Sequence, residues 1–306
     1  MIDKTFVFGH TNPDTDSIVS AISMANLQTE LGNNTQSCRL GNINKETAFA
    51  LKTFDFEAPT LLEKIEDNSN VIMVDNNEFG QCVPGIENAK IKMVVDHHRF
   101  NLKTDEPVHC VTEPVGCTST IIYKLYKQND IDISPKMAGI MLSAIISDTL
   151  LFKSPTCTVE DKKIAEKLAK IADVDLYEYG EKLLKAGTDI SDYTADQIIN
   201  IDSKPFDKND IKFVISQINS ADVDGVFTRK TELENSIGNE ISKNNLNLYV
   251  FLVTDILKGD SKALVLGDKS NIFEKAFSVS LDNNTVLLKG VVSRKKQVLP
   301  KILENL

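Results

Sequence analysis

Three short apolar runs in the first third of the chain are each followed by aspartate or histidine. The first run precedes the motif at residues 9–17, the second the motif at residues 75–78, and the third the motif at residues 96–99. A fourth apolar stretch, residues 140–146, ends in Ser147 and Asp148. Carboxylates and imidazoles are ligands for divalent cations. The aspartates and histidines of these motifs, all of them candidate metal ligands, are His10, Asp14, Asp16, Asp75, Asp96, His97, His98 and Asp148.

Such a set of side chains has a definite chemical preference. Clustered carboxylates repel one another and raise each other's pKa unless a cation lies among them. The set is too rich in carboxylate for a structural zinc site, which prefers Cys and His. Mixed imidazole and carboxylate ligation suits Mn²⁺, Co²⁺, Fe²⁺ or catalytic Zn²⁺. The number of ligands suits two ions, an arrangement used in phosphoryl chemistry.

Histidine usage favours this interpretation. The chain contains only four histidines, and three of them, His10, His97 and His98, lie in the motifs that follow apolar runs. His109 is interpreted as an ordinary surface or core residue. Single motifs have simpler explanations, because Asp14 could cap a helix and Asp75 could be a turn residue. The metal site is predicted from the motifs taken together.

Basic residues near the C-terminus form a second candidate site. Arg294 and Lys295 lie in a basic segment that follows an apolar run, and Lys204 lies farther upstream. Arginine binds phosphate in a bidentate manner, and lysine supplies a point charge. Taken alone, each of these residues could equally be a solvated surface cation. Together they predict a site for an anionic substrate opposite the metal ligands.

The elements that position these residues can be predicted from hydrophobic periodicity. Residues 5–8, 71–74 and 91–95 are short and apolar, as in strands of a parallel sheet that is buried on both faces. Helical spacing covers residues 17–31 and most of the chain from 117 to 186. Alternating strands and helices indicate a doubly wound sheet, whose ligands bind at the carboxyl ends of the strands.

The chain is expected to form two α/β domains. A polar segment follows residue 186, and strand patterns resume at residues 211–218, 246–253, 262–266 and 285–288. The predicted N-terminal domain, residues 1–188, has a mainly parallel, doubly wound sheet. The predicted C-terminal domain, residues 189–306, is smaller. The active site is expected in the cleft between them, where ligand sites commonly lie.

Composition restricts the classes of partner. The formal net charge is −10, which disfavours binding to a nucleic-acid backbone. No apolar stretch approaches the roughly 20 residues that span a bilayer, and the N-terminus does not have the pattern of a secretory leader. The five scattered cysteines suit reduced thiols. We therefore expect a cytoplasmic protein without nucleic-acid or membrane partners.

Longer motifs resemble those of a known family. They include residues 9–16, 74–78, 96–99, 113–118, 147–156 and the basic segment 293–297. Over nearly its whole length the chain resembles the family II inorganic pyrophosphatases of the DHH phosphoesterase superfamily. The Asp-His-His element marks the superfamily, and its combination with the terminal Ser-Arg-Lys-Lys element is typical of the pyrophosphatase branch.

The resemblance implies roles for individual residues. The ligands of two Mn²⁺ or Co²⁺ ions would be His10, Asp14, Asp16, Asp75, His97 and Asp148, with Asp75 bridging the ions. His98 would donate a proton to the leaving group. Lys204, Arg294 and Lys295 would bind the phosphoryl groups of pyrophosphate. Additional Mg²⁺ bound with the substrate, a homodimer formed by the first domains and closure of the second domain are also implied. Many relatives have histidine after the bridging aspartate, whereas this chain has Asn76, which leaves the support of Asp75 open.

Two other functions remain possible at this point. The first is another DHH phosphoesterase, such as a single-strand exonuclease or a phosphodiesterase of cyclic dinucleotides or short oligonucleotides. Those enzymes usually carry a Gly-Gly-His element that this chain lacks. The second is a non-catalytic metal-binding or regulatory protein, which would leave His98 and the Arg294–Lys295 pair unexplained.

Overall fold

The computed structural model describes residues 4–306, which divide into two compact units after Gly187. The first unit contains a six-stranded sheet in the order β3-β2-β1-β4-β5-β6, with every neighbouring pair parallel. Its strands are β1 (Thr5–Phe8), β2 (Thr35–Arg39), β3 (Thr60–Leu61), β4 (Asn70–Val74), β5 (Lys90–Asp96) and β6 (His109–Thr112).

Helices with clear capping signals connect these strands. Asn44 and Ser134 each accept a hydrogen bond from the backbone of the first turn of a helix, and Pro135 occupies the first turn of the helix after Ser134. The helices of this unit are α1 (Thr15–Glu30), α2 (Lys45–Thr53), α3 (Thr118–Gln128), α4 (Pro135–Thr149), α5 (Val159–Ala172) and α6 (Leu176–Gly187).

The two faces of the sheet are covered differently. Helices α1 and α3 pack on one face, and α1 is buried along most of its length. On the other face, Phe8, Met73 and Val94 pack against apolar side chains from residues 62–91, a segment whose only helices are the 3₁₀ turns Phe79–Gln81 and Ile86–Asn88. The α/β fold with a parallel N-terminal sheet, predicted from the sequence, is confirmed.

The second unit has a mixed five-stranded sheet in the order β11-β10-β9-β8-β7. Only β8 and β9 are parallel, and they are joined by a helical crossover. The strands are β7 (Ser203–Lys208), β8 (Ile211–Ser220), β9 (Leu248–Asp255), β10 (Asp260–Leu266) and β11 (Thr285–Leu288). The helices are α7 (Ala195–Asn200), α8 (Val223–Phe227), α9 (Lys230–Asn244), α10 (Ser270–Phe277) and α11 (Leu299–Glu304), which follows a π-helical turn at Arg294–Val298.

Alternation along the strands divides the core of this unit between the two faces of the sheet. Phe213 and Ile215 of β8 face α10 and α11, whereas Val214 and Ile218 face α7, α8 and α9. In the part of the chain that the structure describes, no helix has the length and apolar character needed to cross a membrane.

Candidate metal centre

The order of the first sheet creates a switch point between β1 and β4. The chain continues from β1 to β2 and β3 on one side of this point, and from β4 to β5 and β6 on the other. Loops diverge at such a point and leave a crevice at the carboxyl ends of the strands. His10 lies just after β1, and Asp75 directly follows β4. Topology therefore brings together residues that are far apart in sequence.

Asp75 lies between two imidazoles. Its Oδ2 is 3.4 Å from Nε2 of His10, and its Oδ1 is 3.4 Å from Nε2 of His97. The Asp75 side chain is only 1% exposed. Its backbone has a φ of 52°, in the left-handed region that aspartate adopts more readily than most non-glycine residues. One carboxylate thus presents one oxygen to each histidine.

The remaining candidate ligands complete two groups that share Asp75. Oδ2 of Asp14 is 3.5 Å from Nε2 of His10, and Oδ2 of Asp148 is 3.6 Å from Nε2 of His97. Within each group all ligand atoms lie within 4.8 Å of one another. One group is His10, Asp14 and Asp75, and the other is Asp16, Asp75, His97 and Asp148. A third set of the same kind, Asp75, His97 and His98, overlaps the second group.

Three of the carboxylates come from helix termini, and Asp16 lies in the first turn of α1. Asp14 caps α1 by accepting a hydrogen bond from the Ser17 amide. The same side chain therefore caps the helix and belongs to the cluster of candidate ligands. Asp148 lies in the last turn of α4, since the apolar stretch before it is helical. The structure therefore brings all six predicted ligands together, although not all of them follow strands.

Both histidines are oriented by the main chain. Nδ1 of His10 lies 2.8 Å from the Thr11 carbonyl oxygen, and Nδ1 of His97 lies 3.0 Å from that of Val115. A carbonyl only accepts, so each Nδ1 carries the hydrogen, and Nε2, which faces the carboxylates, is the atom left to bind an ion or a proton. Nε2 of His97 is buried without a hydrogen-bond partner. Separations of 3.4–3.6 Å suit ligands that share an ion with bonds of about 2.1 Å.

Helix α3 supports the cluster through its N-terminus. The amides of Thr118 and Ser119 donate to the fully buried carboxylate of Asp16, at 2.7 and 3.2 Å. The Thr118 hydroxyl donates to Oδ1 of Asp75 at 3.1 Å. Neither Thr118 nor Ser119 was predicted from the sequence to take part in the site. Their position at a helix start, where free amides attract anions, is the signal that could have identified them.

Asn76 stabilises the turn after Asp75. Its Nδ2 donates to Sγ of Cys82 at 3.0 Å, and its Oδ1 accepts from the Glu78 amide at 2.9 Å. The support of the Asp75 carboxylate, which the sequence left open, therefore includes the Thr118 hydroxyl, whereas the side chain of Asn76 shapes the loop.

The electrostatics of the cluster indicate a shortage of positive charge. Burial, together with neighbouring Asp75, raises the pKa of Asp16 to about 6. Burial and the charges of Asp16 and Asp75 also raise the pKa of Asp148. Burial lowers the pKa of His97, but contacts with Asp75 and Asp16 outweigh it and raise that pKa to about 9. Burial also lowers the pKa of His10, but contacts with Asp14 and Asp75 outweigh it and raise that pKa to about 11.

A pocket of about 240 Å³ opens beside this cluster and contains His98 in its lining. Nδ1 of His98 lies 2.9 Å from Oδ1 of the fully buried Asp96, whose Oδ2 accepts from Nδ2 of Asn77 at 2.5 Å. The hydrogen bond to Asp96 raises the pKa of His98. The side chain of His98 is 56% exposed, so its other nitrogen is free to face a ligand in the pocket. Asn77 and Arg99 also line the pocket and were not assigned from the sequence.

The three basic candidates lie in the second unit. The Arg294 side chain is held by Asp202, with Nη1 2.5 Å from the backbone oxygen and 3.0 Å from Oδ1. Lys204 is exposed on β7, which begins next to Asp202, and Lys295 is exposed in the π-helical turn. The backbone of Arg294 also donates to Oε1 of Gln217 at 2.9 Å. The structure thus brings Arg294 to the start of the strand that carries Lys204.

Comparison with known proteins agrees with this architecture. The family model for the DHH family N-terminal domain matches residues 4–145, and that for the DHHA2 domain matches residues 181–305. The chain is 52% identical over 303 residues to a probable manganese-dependent inorganic pyrophosphatase of Shouchella clausii, covering 98% of this chain and 97% of the relative. A protein of the same description from Oceanobacillus iheyensis is 50% identical over 304 residues, with 99% of each chain covered.

Two solved structures are also similar to this chain. A putative family II inorganic pyrophosphatase of Methanococcus jannaschii superposes with a TM-score of 0.62 at 41% identity, covering 98% of this chain and 99% of that one. An exopolyphosphatase-related protein from Bacteroides fragilis, at 16% identity and a TM-score of 0.51, shares the fold. The chain belongs to the manganese-dependent, family II inorganic pyrophosphatases of the DHH family.

Proposed function

We propose that this protein hydrolyses inorganic pyrophosphate to two phosphates with the help of two metal ions. The observation that carries the proposal is the pair of ligand groups that share Asp75. Relatives at about half identity over the whole chain are described as manganese-dependent inorganic pyrophosphatases. Paired ions are a common device of phosphoryl transfer, since they stabilise both the attacking and the leaving oxygen.

The residues present fit two Mn²⁺ or Co²⁺ ions. His10 and Asp14 would hold one ion, and Asp16, His97 and Asp148 the other, with Asp75 contributing one oxygen to each. The unpartnered Nε2 of His97 and the raised pKa values of the histidines support this assignment. When bound, such ions lower the pKa of a coordinated water and offset phosphate charge. Additional Mg²⁺ would arrive with the substrate.

His98 is suited to act as general acid towards the leaving phosphate. Asp96 accepts the hydrogen on Nδ1 and favours the charged ring, so a proton on Nε2 is available for transfer. The buried Asp96 is itself held by Asn77, which fixes the orientation of the ring. His98 would therefore act on the substrate without serving as a metal ligand.

Arg294, Lys295 and Lys204 would bind the phosphoryl groups. The Arg294 side chain is 14% exposed, and its guanidinium matches the geometry of phosphate oxygens. We propose that residues 1–188 supply the metal ligands and residues 189–306 the cationic clamp. Chemistry would then take place in the cleft between the domains when the second domain closes over the substrate.

A homodimer through the first unit is also proposed. Strand β6 is the last strand of its sheet, with three of its four residues exposed. Next to it lies a groove of about 330 Å³ lined by Leu27, Leu31, Val111 and Leu125 among others. An open strand edge beside apolar side chains is suited to pair with a second copy.

The proposed activity is tested by phosphate release from pyrophosphate, with Mn²⁺ and Mg²⁺ supplied to metal-free protein. We expect rapid release from pyrophosphate and none from short oligonucleotides or cyclic dinucleotides. Preference for a nucleotide substrate would reassign the protein to another branch of the superfamily. Metal binding without any hydrolysis would favour the regulatory alternative.

The bridging role of Asp75 is tested separately. Asp75→Ala should lose manganese and activity together, because the substitution removes a ligand from both groups. Manganese bound by the purified variant is measured by elemental analysis. Wild-type manganese content in Asp75→Ala would reject the bridging role.

A further inference from the structure

A fully buried carboxylate outside the ligand set lies at the start of α5. Asp161 accepts hydrogen bonds at Oδ2 from the Gly116 amide (2.9 Å) and from the amide and hydroxyl of Thr158 (both 2.7 Å). Its Oδ1 accepts from the Thr120 hydroxyl at 2.6 Å. The contacts with Thr158 belong to the capping box of α5, but those with Gly116 and Thr120 reach another part of the chain.

Helix capping does not require a charge at this position. The equivalent box of α7 is formed by Thr194 and the neutral Gln197. All four donors to Asp161 are neutral, and burying a carboxylate among neutral groups costs free energy. A side chain that accepts four hydrogen bonds at once is well suited to hold two segments together. Asp161 joins α5 to the loop before α3 and to α3 itself.

The segment that Asp161 holds supports one of the two ligand groups. The Val115 carbonyl, next to Gly116, fixes the ring of His97. The Thr118 and Ser119 amides bind Asp16, and the Thr118 hydroxyl binds Asp75. In the other group, His10 is fixed by Thr11 and Asp14 by Ser17, and only the shared Asp75 contacts this segment.

Gly116 permits the close approach on which this connection depends. A Cβ at position 116 would lie 2.8 Å from Oδ2 of Asp161 and 2.9 Å from Cγ2 of Thr149. Real Cβ atoms essentially never come within 3.0 Å of another heavy atom, so one of these groups would have to move. Thr149 directly follows Asp148, and the loop therefore also packs against the end of α4.

We propose that Asp161 is a positioning residue for the ion held by Asp16, Asp75, His97 and Asp148, acting through Gly116, Thr120 and the start of α3. The inference rests on the proposed two-ion function and deepens it. Loss of the carboxylate releases the loop, so that His97 and Asp16 lose their fixed orientation. The ion held by His10, Asp14 and Asp75 is less affected, because His10 and Asp14 have separate supports and only the Thr118 contact with Asp75 is disturbed.

The test is a calorimetric titration of metal-free protein with Mn²⁺. In Asp161→Ala, one of the two binding events should weaken about tenfold, the loss typical when a partner behind a metal ligand is removed, and the other should stay within about twofold. Thr158→Ala is the matched control, since it damages the same cap but leaves the contacts with Gly116 and Thr120 in place. We expect both events to be unchanged in this control.

Two further variants separate geometry from general loss of stability. Asp161→Asn keeps an oxygen for Gly116 and Thr158 and can donate to the Thr120 hydroxyl, so it should recover most of the lost affinity. Gly116→Ala should reproduce the selective loss by displacing the carboxylate, and it carries the test if Asp161→Ala fails to fold.

The inference is overturned if Asp161→Ala leaves both events unchanged or weakens both equally, or if wild-type protein binds a single ion. Failure of the proposed function has a different signature. Wild-type protein would then bind two ions, one of them sensitive to Asp161, without hydrolysing pyrophosphate.

Discussion

The tautomers of two histidines are set by the main chain rather than by acidic partners. The Thr11 and Val115 carbonyls take the Nδ1 hydrogens, and the opposite nitrogens face Asp75. Without a cation these nitrogens attract protons, which is why the pKa values of His10 and His97 are raised. Ions and protons therefore compete for the same atoms.

This competition predicts how stability depends on pH. In metal-free protein, protonated His97 stabilises the folded state fully at and below its unfolded pKa of 6.5. This stabilisation is lost as pH rises towards the folded pKa of about 9. The contribution of His10 is lost at higher pH, towards its folded pKa of about 11. Bound Mn²⁺ replaces those protons and binds more tightly as pH rises. The difference in melting temperature between manganese-saturated and metal-free protein should widen from about pH 6.5 to about pH 8.5. A constant difference would argue against histidine ligation.

A second prediction at this scale concerns His98. His98→Gln should keep both ions, because Gln removes the proton donor and no proposed ligand. Turnover should fall by roughly 10²–10⁴-fold, as general-acid losses usually do. Steady-state kinetics together with manganese content measures both quantities. Near-normal turnover would reject His98 as the donor.

At the scale of elements, the strands that position the site were predictable and others were not. Strands β1, β4 and β5 each end in a buried, mainly apolar run, and these runs were visible in the sequence. Strands β2 and β6 are short and mix polar with apolar residues, β3 has two residues, and α2 was also overlooked. Their formation depends on neighbouring strands and helices, which local patterns do not encode.

The same contrast holds within the site. The six acidic and imidazole candidates come together as predicted, because their chemistry is visible in the sequence. Thr118 and Ser119 were missed, and so was Asp161, because their partners lie 41 to 103 positions away along the chain. Neutral and capping residues gain such roles only through tertiary contacts.

The open edge of β6 leads to a prediction about assembly. Leu31→Glu should weaken the proposed homodimer, because it places a charge in the apolar groove beside that strand. Sedimentation at several concentrations measures the effect, and Leu287→Glu, at an exposed leucine of the second unit, is the control. Equal dimerisation of Leu31→Glu and wild type would place the interface elsewhere.

At the scale of the molecule, the proposed ion ligands and cationic clamp belong to different compact units. The cationic clamp also has supports of its own within the second unit. Gln217 accepts a hydrogen bond from the Arg294 backbone and donates to the Val292 carbonyl, both at 2.9 Å. Metal binding and substrate binding should therefore be separable by substitution. If the same residues bound the metal ions and the substrate, no substitution could weaken substrate binding without weakening metal binding.

Arg294→Lys tests that separation. Loss of the bidentate guanidinium should lower kcat/KM for pyrophosphate by about 10- to 100-fold, while Mn²⁺ affinity stays unchanged. Arg229→Lys is a suitable control, because Arg229 forms an ion pair with Glu232 on the surface of the same unit. A parallel loss of Mn²⁺ affinity in Arg294→Lys would contradict the division between the units.

The shared carboxylate of Asp75 has a thermodynamic consequence. Four aspartates contribute to the two groups, so two divalent cations match the charge of the four carboxylates, whereas a single cation leaves two carboxylate charges to be met by protons. Because one side chain serves both positions, occupancy of either alters the affinity of the other by the same factor. Partial loading is thus a distinct energetic state, and the cellular concentration of the cation would set the fraction of molecules competent to react.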